Sequence, residues 1–335
     1  MSSPSRITTF LPSFSSSFFN ALARVVFPEP GKPVSHITTP ITLHTKRFIN
    51  ALSISHQMFD KLANIFSKSI LFYIILLVVS VFAYLFIYSF WIEPNFLIRV
   101  KTINLDRRLN YTIAFISDLH VGDYDPQIRY DKLYKILNKT RPNLIIIGGD
   151  VLGERDKIER ADEILLNLSR IAPILVIPGN WDYYTRFVSE ENILTLELKS
   201  NERIKFLIND FYITNITNAS KICIYGMDWL NPMFKDFNKN CTVRIVVMHS
   251  PGFYKYIPNL KEKHIDLILA GHTHGGQVNI FGFVPYVPDH LGKEGLIYGL
   301  VKKEGVPIYI TSGIGVHRLF PFRFNVPPEV VIIKI

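Results

Sequence analysis

The stretch Ile174–Tyr184, ILVIPGNWDYY, carries a strand-like apolar run into a polar tip through Pro178-Gly179. Asn180, Trp181 and Asp182 then present an amide, an indole and a carboxylate. Alone, the stretch decides nothing, because Asn and Asp are ordinary turn residues and Trp is ordinary packing. It decides the fold because its pattern recurs. IAFIS leads to Asp118 and His120, LIIIGG to Asp150, RIVVM to His249, and LILAG to His272-Thr273-His274. Five apolar runs therefore end in Asp, Asn or His. In open α/β sheets the carboxyl ends of strands converge on the ligand crevice.

Around these runs, 127–140 and 156–170 space their apolar residues as helices do. KICIYGM reads as a further short strand. GLIYGLV and VPIYITSG flank Lys302-Lys303-Glu304-Gly305, a hairpin signal, and EVVIIKI closes the chain. Strand–helix alternation followed by hairpins predicts an α/β fold with mixed sheets.

The residue types at the strand ends specify a chemistry. Imidazole, carboxylate and amide oxygen, with no thiolate, suit divalent Mn, Fe, Zn or Co. A lone His is usually a satisfied core residue; seven such groups on five strand ends are a metal-binding pattern. Asp150 is central in chain order and suits a bridge between two ions. Gly148-Gly149, Gly179, Gly271 and Gly275-Gly276 let the backbone turn sharply beneath it.

DLH (118–120), GGD (148–150), GNWD (179–182), MHSP (248–251) and GHTHGG (271–276) together resemble the calcineurin-like metallophosphoesterases, over about residues 110–335. The resemblance implies a four-layer sandwich of two mixed β-sheets flanked by helices. It implies two divalent ions, one on Asp118, His120 and His274, the other on Asn180, His249 and His272, with Asp150 bridging. It also implies that a hydroxide shared by the ions attacks phosphorus. GHTHGGQ and the terminal PFRFNVPPEVVIIKI are similar to a membrane-associated bacterial phosphodiesterase subgroup that includes UDP-2,3-diacylglucosamine hydrolases of lipid A biosynthesis. Two other functions stand beside that one: a broad-specificity phosphodiesterase, and a metal-binding scaffold that has lost catalysis.

Trp181 departs from the family, which usually has His after this Asn. An indole N–H donates a hydrogen bond but delivers no proton. Asp182 matches the acid that follows, so Asp150, Trp181 and Asp182 form the expected catalytic group. A pyrophosphate carries a good leaving group of its own, since a phosphate monoester has a second pKa of about 6. His317 or a metal-bound water is the alternative proton source. FGFVPYVP (281–288) and RLFPFRF (318–324) are aromatic loops late in the chain. Phe281, Phe283, Arg318 and Arg323 are the substrate-binding candidates there, against a plain reading as loop packing.

Ser69–Ile92 is 24 residues without a charge, longer than a hydrocarbon core of about 30 Å requires. Tyr88 and Trp91 lie near its end, where aromatic belts form. The expected order is a disordered or mis-assigned extension (1–57), a pre-membrane segment (58–68), a transmembrane helix (69–92), a linker with a first strand (93–109) and the catalytic domain (110–335). Counted from Met58, Lys61 and Lys68 face Arg99, Lys101, Arg107 and Arg108 across the span. That excess predicts a single-pass membrane protein with a cytoplasmic domain; if residues 1–57 belong to the chain, the bias vanishes. The net charge of +9 is concentrated before the span, where seven Lys/Arg meet two acids. The remainder is too balanced for a nucleic-acid protein. The expected partners are the bilayer and a phosphorylated lipid or nucleotide-linked lipid. Two cysteines without a CxxC predict neither a disulfide framework nor a structural zinc site.

Overall fold

The central strands form where short unbroken apolar runs can be buried on both faces. The computed structural model describes residues 39–335 apart from 154–156, 185–200, 239 and 318–319. In chain order its strands are β1 (Arg99–Asn104), β2 (Thr112–Ile116), β3 (Leu144–Ile147), β4 (Ile174–Val176), β5 (Ile204–Phe206), β6 (Asp210–Asn215), β7 (Lys221–Gly226), β8 (Val243–Met248), β9 (Leu267–Ala270), β10 (Gly299–Lys303), β11 (Val306–Ile310) and β12 (Glu329–Lys334). One sheet has the order β1-β12-β2-β3-β4-β5 and the other β10-β11-β9-β8-β7-β6. Both are mixed. β2 to β5 are parallel and β12 is antiparallel to β2. β7, β8, β9 and β11 are parallel, with β6 and β10 antiparallel at the edges. The predicted hairpin joins β10 to β11 through Glu304 and Gly305, both at positive φ as a tight two-residue turn requires.

Alternation along β2 shows how the layers are built. Ile113 and Phe115 point between the sheets and meet Ile146, Ile224, Ile245 and Leu269. Ala114 and Ile116 point the other way, towards Tyr130, Leu133 and Leu168 of α3 (Gln127–Thr140) and α4 (Ile158–Ile171). A strand covered on both faces reads as an unbroken apolar run. The outer face of the second sheet, with Met248, Ile268 and Ile310, is covered by Ile257, Leu260 and Leu291 from short 3-10 turns and loops. Among the described residues, full α-helices thus flank only the first sheet.

The chain divides into two units, Met1–Val78 and Val79–Ile335. The extension predicted for 1–57 falls outside the described residues over 1–38. From Thr39 it is helical, against the expected disorder: α1 spans Thr39–Ile87. Pro40 sits in the first turn, where a missing N–H costs nothing, and no Pro or Gly follows to break the helix before Ile87. Ile49–Phe96 is long and apolar enough to cross a membrane, and its most apolar window is wholly exposed.

Within the second unit a π-helical turn, Tyr88–Ile92, and a single turn, α2 (Glu93–Phe96), lead into β1. This junction is held by buried polar groups. Glu93 accepts from the N–H groups of Asn325 (2.8 Å) and Val326 (2.5 Å). Arg129, fully buried on α3, donates to Pro94 O at 3.0 Å and Asn95 Oδ1 at 2.9 Å. A buried charge is tolerated only when its hydrogen bonds are satisfied in this way.

The cysteine reading needs correction. Cys223 on β7 and Cys241, just before β8, are joined in a disulfide across 18 residues. Sequence spacing did not show it, because it depends on β7 and β8 being neighbours. Replacing both cysteines by Ala should destabilise the fold by about 2–4 kcal/mol. A lower urea midpoint, with an m-value that rises as the unfolded chain loses its cross-link, checks this; an unchanged midpoint would show the bond to be dispensable.

Candidate metal centre

The seven predicted ligands gather at the carboxyl ends of parallel strands in both sheets. Asp118 and His120 follow β2, Asp150 follows β3, and Asn180 opens α5 (Asn180–Tyr184) after β4. His249 follows β8, and His272 and His274 follow β9. Five of them occupy the left-handed backbone region: Asp118 (φ 53°), His120 (46°), Asp150 (51°), His272 (69°) and His274 (51°). Each such residue costs about 1–3 kcal/mol and persists only where its surroundings force it. Backbone bonds supply that force: Asp118 N–H donates to Gly149 O at 2.9 Å and His120 N–H to Asp150 O at 3.1 Å. At Gly179 an added Cβ would lie 2.2 Å from Asp150 Oδ1, so only glycine admits the carboxylate.

The side chains form two clusters, Asp118–His120–His274 and Asp150–His249–His272, each with its ligand atoms within 4.8 Å of one another. His120 Nε2 and His274 Nε2 are 3.0 Å apart, and His272 Nδ1 and His249 Nε2 3.2 Å. Asp150 Oδ2 lies 3.2 Å from His249 Nε2 and 3.5 Å from His120 Nε2, touching both clusters. The fit to metal ions can be tested on the donors. Asn180 Oδ1 and His274 Nδ1 are buried with no hydrogen-bond partner. Imidazole nitrogens converge face to face, where at most one proton fits between them. These are groups shaped for a shared cation, and nitrogen–oxygen donors suit divalent ions.

Neighbouring groups set tautomers and charges. His249 Nδ1 donates to Gly148 O at 2.7 Å, which turns Nε2 towards the cluster. His120 Nδ1 lies 3.3 Å from Asp123 Oδ2, and His272 Nε2 is 2.8 Å from Asp289 Oδ2. Asp123 and Asp289 went unrecognised in the sequence. The only local signal was the spacing of His120 and Asp123, and Asp289 lies in a separate loop. Burial opposes the charge on Asp150, but His249, then His120 and His272, hold its carboxyl down to about 2. Burial, then the neighbouring His120, keeps His274 well below the usual imidazole value. A carboxylate and a neutral imidazole are the forms that bind metal. Burial opposes the charge on His249, but Asp150 and then Asp118 push it up to about 9, so a cation there would displace a proton.

The other predicted residues fall differently. Trp181 lines a cavity of about 440 Å³ above the clusters, and its main-chain N–H donates to Asp150 Oδ1 at 2.9 Å. Asp182 does not reach the cavity. Its oxygens accept from the N–H groups of Leu152 (3.1 Å) and Gly179 (2.8 Å), so it is a positioning residue, not a catalytic one. Burial, then the charge of Asp150, pushes its carboxyl up to about 7. Arg323 is fully buried and donates to Val326 O (2.9 Å), Ser312 O (2.8 Å) and Gly315 O (2.6 Å), so it meets no substrate. Its guanidinium is consumed by carbonyls of its own loop. Phe281 and Phe283 are exposed and do not line the cavity. Arg318 lies outside the described residues. His317 does line the cavity, its ring 5.4 Å from that of Trp181 and 5.9 Å from that of His120.

Comparison with known proteins agrees with this geometry. The calcineurin-like phosphoesterase family matches residues 111–276. The uncharacterised YpbG of Bacillus subtilis is 30% identical over 234 residues, 67% of this chain and 80% of its own length. An uncharacterised metallophosphoesterase of Helicobacter pylori is 29% identical over 241 residues, 69% of this chain; the chain spans only 60% of that relative's length. The phosphodiesterase YaeI of Escherichia coli is 27% identical over 238 residues, 69% of this chain and 84% of its own.

Asp150→Asn removes the one charge shared by the two clusters. It should lower bound divalent metal and hydrolytic activity together, since each ion loses part of its anionic partner. Metal analysis and turnover on the same sample test this. Full loading with normal turnover would remove Asp150 from the site.

Proposed function

This chain belongs to the calcineurin-like metallophosphoesterases, whose members use two divalent metal ions, and on that premise we propose that it hydrolyses a phosphodiester or pyrophosphate bond in a membrane lipid. The specific substrate we propose is UDP-2,3-diacylglucosamine. One observation carries the lipid reading: the cavity has polar clusters for a floor and Tyr286, Phe320 and Phe322 in its wall. A phosphate suits the floor and an acyl chain the wall. The helix that can cross a membrane fits the same reading as an anchor.

Asp118, His120 and His274 would hold one ion and Asn180, His249 and His272 the other, with Asp150 between them. Bound ions supply a nucleophilic water at neutral pH and neutralise charge on the phosphoryl oxygens. The chain's own residues do the rest. The Trp181 N–H fixes one oxygen of Asp150, a task the backbone performs whatever side chain stands there. The aromatic wall limits water. His317, beside the indole, is the imidazole placed to give a proton to the departing oxygen.

His317→Asn should slow hydrolysis of an alkyl phosphodiester by about 10²–10⁴-fold, the usual worth of general acid catalysis. An aryl phosphodiester or a pyrophosphate, whose leaving groups need no proton, should change little. If the ratio between substrates stays fixed in His317→Asn, the proton comes from elsewhere.

The disulfide favours a second reading of the setting. Cys223–Cys241 would persist on an oxidising face of the membrane, opposite to the cytoplasmic placement expected from the charges near Met58. The substrate would then be a lipid diester or diphosphate without a nucleotide. Assaying UDP-2,3-diacylglucosamine against a nucleotide-free lipid diphosphate, with metal content measured, separates the two. Turnover of the nucleotide-free lipid alone sinks the nucleotide reading. No turnover of either, or of an aryl phosphodiester with added Mn²⁺, leaves a metal-binding scaffold.

A further inference from the structure

We propose that the mouth of the cavity lies against the bilayer, with the turn Ile280–Phe283 dipping into the membrane interface beside it. The inference rests on the membrane-lipid reading above and adds the surface that meets the lipid. Three observations carry it.

The first is the turn itself. Ile280 and Phe283 close it with paired backbone bonds of 2.8 and 3.0 Å, and Phe281 and Gly282 at its tip have φ of 52° and 99°. Phe281 is 100% exposed and Phe283 66%. A phenyl ring held in a left-handed turn and fully in water gains nothing from its own protein. An apolar partner outside the molecule is what would reward it.

The second is how the turn is attached. Phe324 accepts from Asn279 N–H at 2.9 Å and donates to Gln277 O at 2.9 Å. The same short segment grips the base of the apolar helix. Arg323 N–H donates to Ser89 O at 2.9 Å, and Asn325 and Val326 donate to Glu93. Within the second unit, then, one segment carries the exposed turn and the last residues of the helix. That helical part is itself apolar and open, with Phe82 68% exposed. This continuity makes the lipid surface the occupant.

The third is a file of rings joining the two. Phe86 stacks on Phe90 (4.4 Å), Phe90 meets Phe322 (4.9 Å), Phe322 meets Phe320 (6.3 Å), and Phe320 stacks on Tyr286 (6.3 Å). The last three line the cavity. Acyl chains can follow this track while the phosphate reaches the clusters.

The test uses the full chain in vesicles of phosphatidylethanolamine and phosphatidylglycerol. Phe281→Cys provides the free thiol for an environment-sensitive fluorophore, because Cys223 and Cys241 are bonded to each other. Ala219→Cys, in the β6–β7 turn at the opposite end of the sheet, is the control. Brominated acyl chains should quench the probe at 281 several-fold more than the probe at 219. Separately, Phe281→Ser with Phe283→Ser should slow hydrolysis of bilayer-embedded hexadecyl p-nitrophenyl phosphate by about tenfold. Methyl p-nitrophenyl phosphate in solution, which has the same scissile bond, should be cleaved at the unaltered rate. Equal quenching at 281 and 219 in a chain that stays with the vesicles overturns the membrane-facing mouth and leaves the anchor standing. A chain washed from the vesicles by alkaline carbonate overturns both. An equal loss on the two phosphodiesters assigns the turn to the fold and overturns the inference.

Discussion

The centre is organised by one buried carboxylate. Asp150 sits where β3 ends, in a left-handed conformation, with Trp181 N–H on one oxygen and His249 close to the other. Its backbone carbonyl holds His120 N–H. Removing such a group from water is costly unless every face is answered. The answers come from β2, β4 and β8, so the loops after these strands must close around one point. Gly179 is glycine because nothing larger clears that carboxylate, and Asp182 is an acid because the loop carrying Asn180 must be tied to the one carrying Asp150.

This arrangement was legible in the sequence because it is periodic at two levels. Apolar runs of strand length gave the sheets, and the polar residue after each run gave the site. The mixed sheets and the β10–β11 hairpin followed from the same reading. What escaped is what depends on direction rather than residue type. Arg323 and Asp182 look like active-site charges in the sequence, yet their side chains point into backbone carbonyls and amides. Phe281 looks like a pocket residue, yet the pair of positive φ angles at its turn sends it outward. Asp123 and Asp289 support His120 and His272 from positions that no strand end marks. The disulfide required knowing which strands are neighbours. β5 has only three residues, and β6, though as long as its neighbours, has no fully buried position, so they carry little of the apolar signal.

Trp181 shows how a side chain can mislead. As a sequence feature it stood for the loss of a proton donor. In the fold, the contribution of position 181 to Asp150 is made through its main chain, and an imidazole stands beside the indole on a different loop. If His317 is the proton donor proposed above, a catalytic group has moved between loops of one cavity while the spatial arrangement is kept.

The two clusters share a property that neither sheet has alone. Asp118 and His120 come from the first sheet and His274 from the second; Asp150 comes from the first and His249 and His272 from the second. Any cation held by either set is a cross-brace between the layers of the sandwich. Sliding one sheet past the other would break coordination at both places at once, a directional resistance added to that of the close-packed apolar side chains between them. Metal loading at these clusters would therefore brace the register of the sandwich as well as supply its chemistry, and folding and metal uptake would be thermodynamically linked.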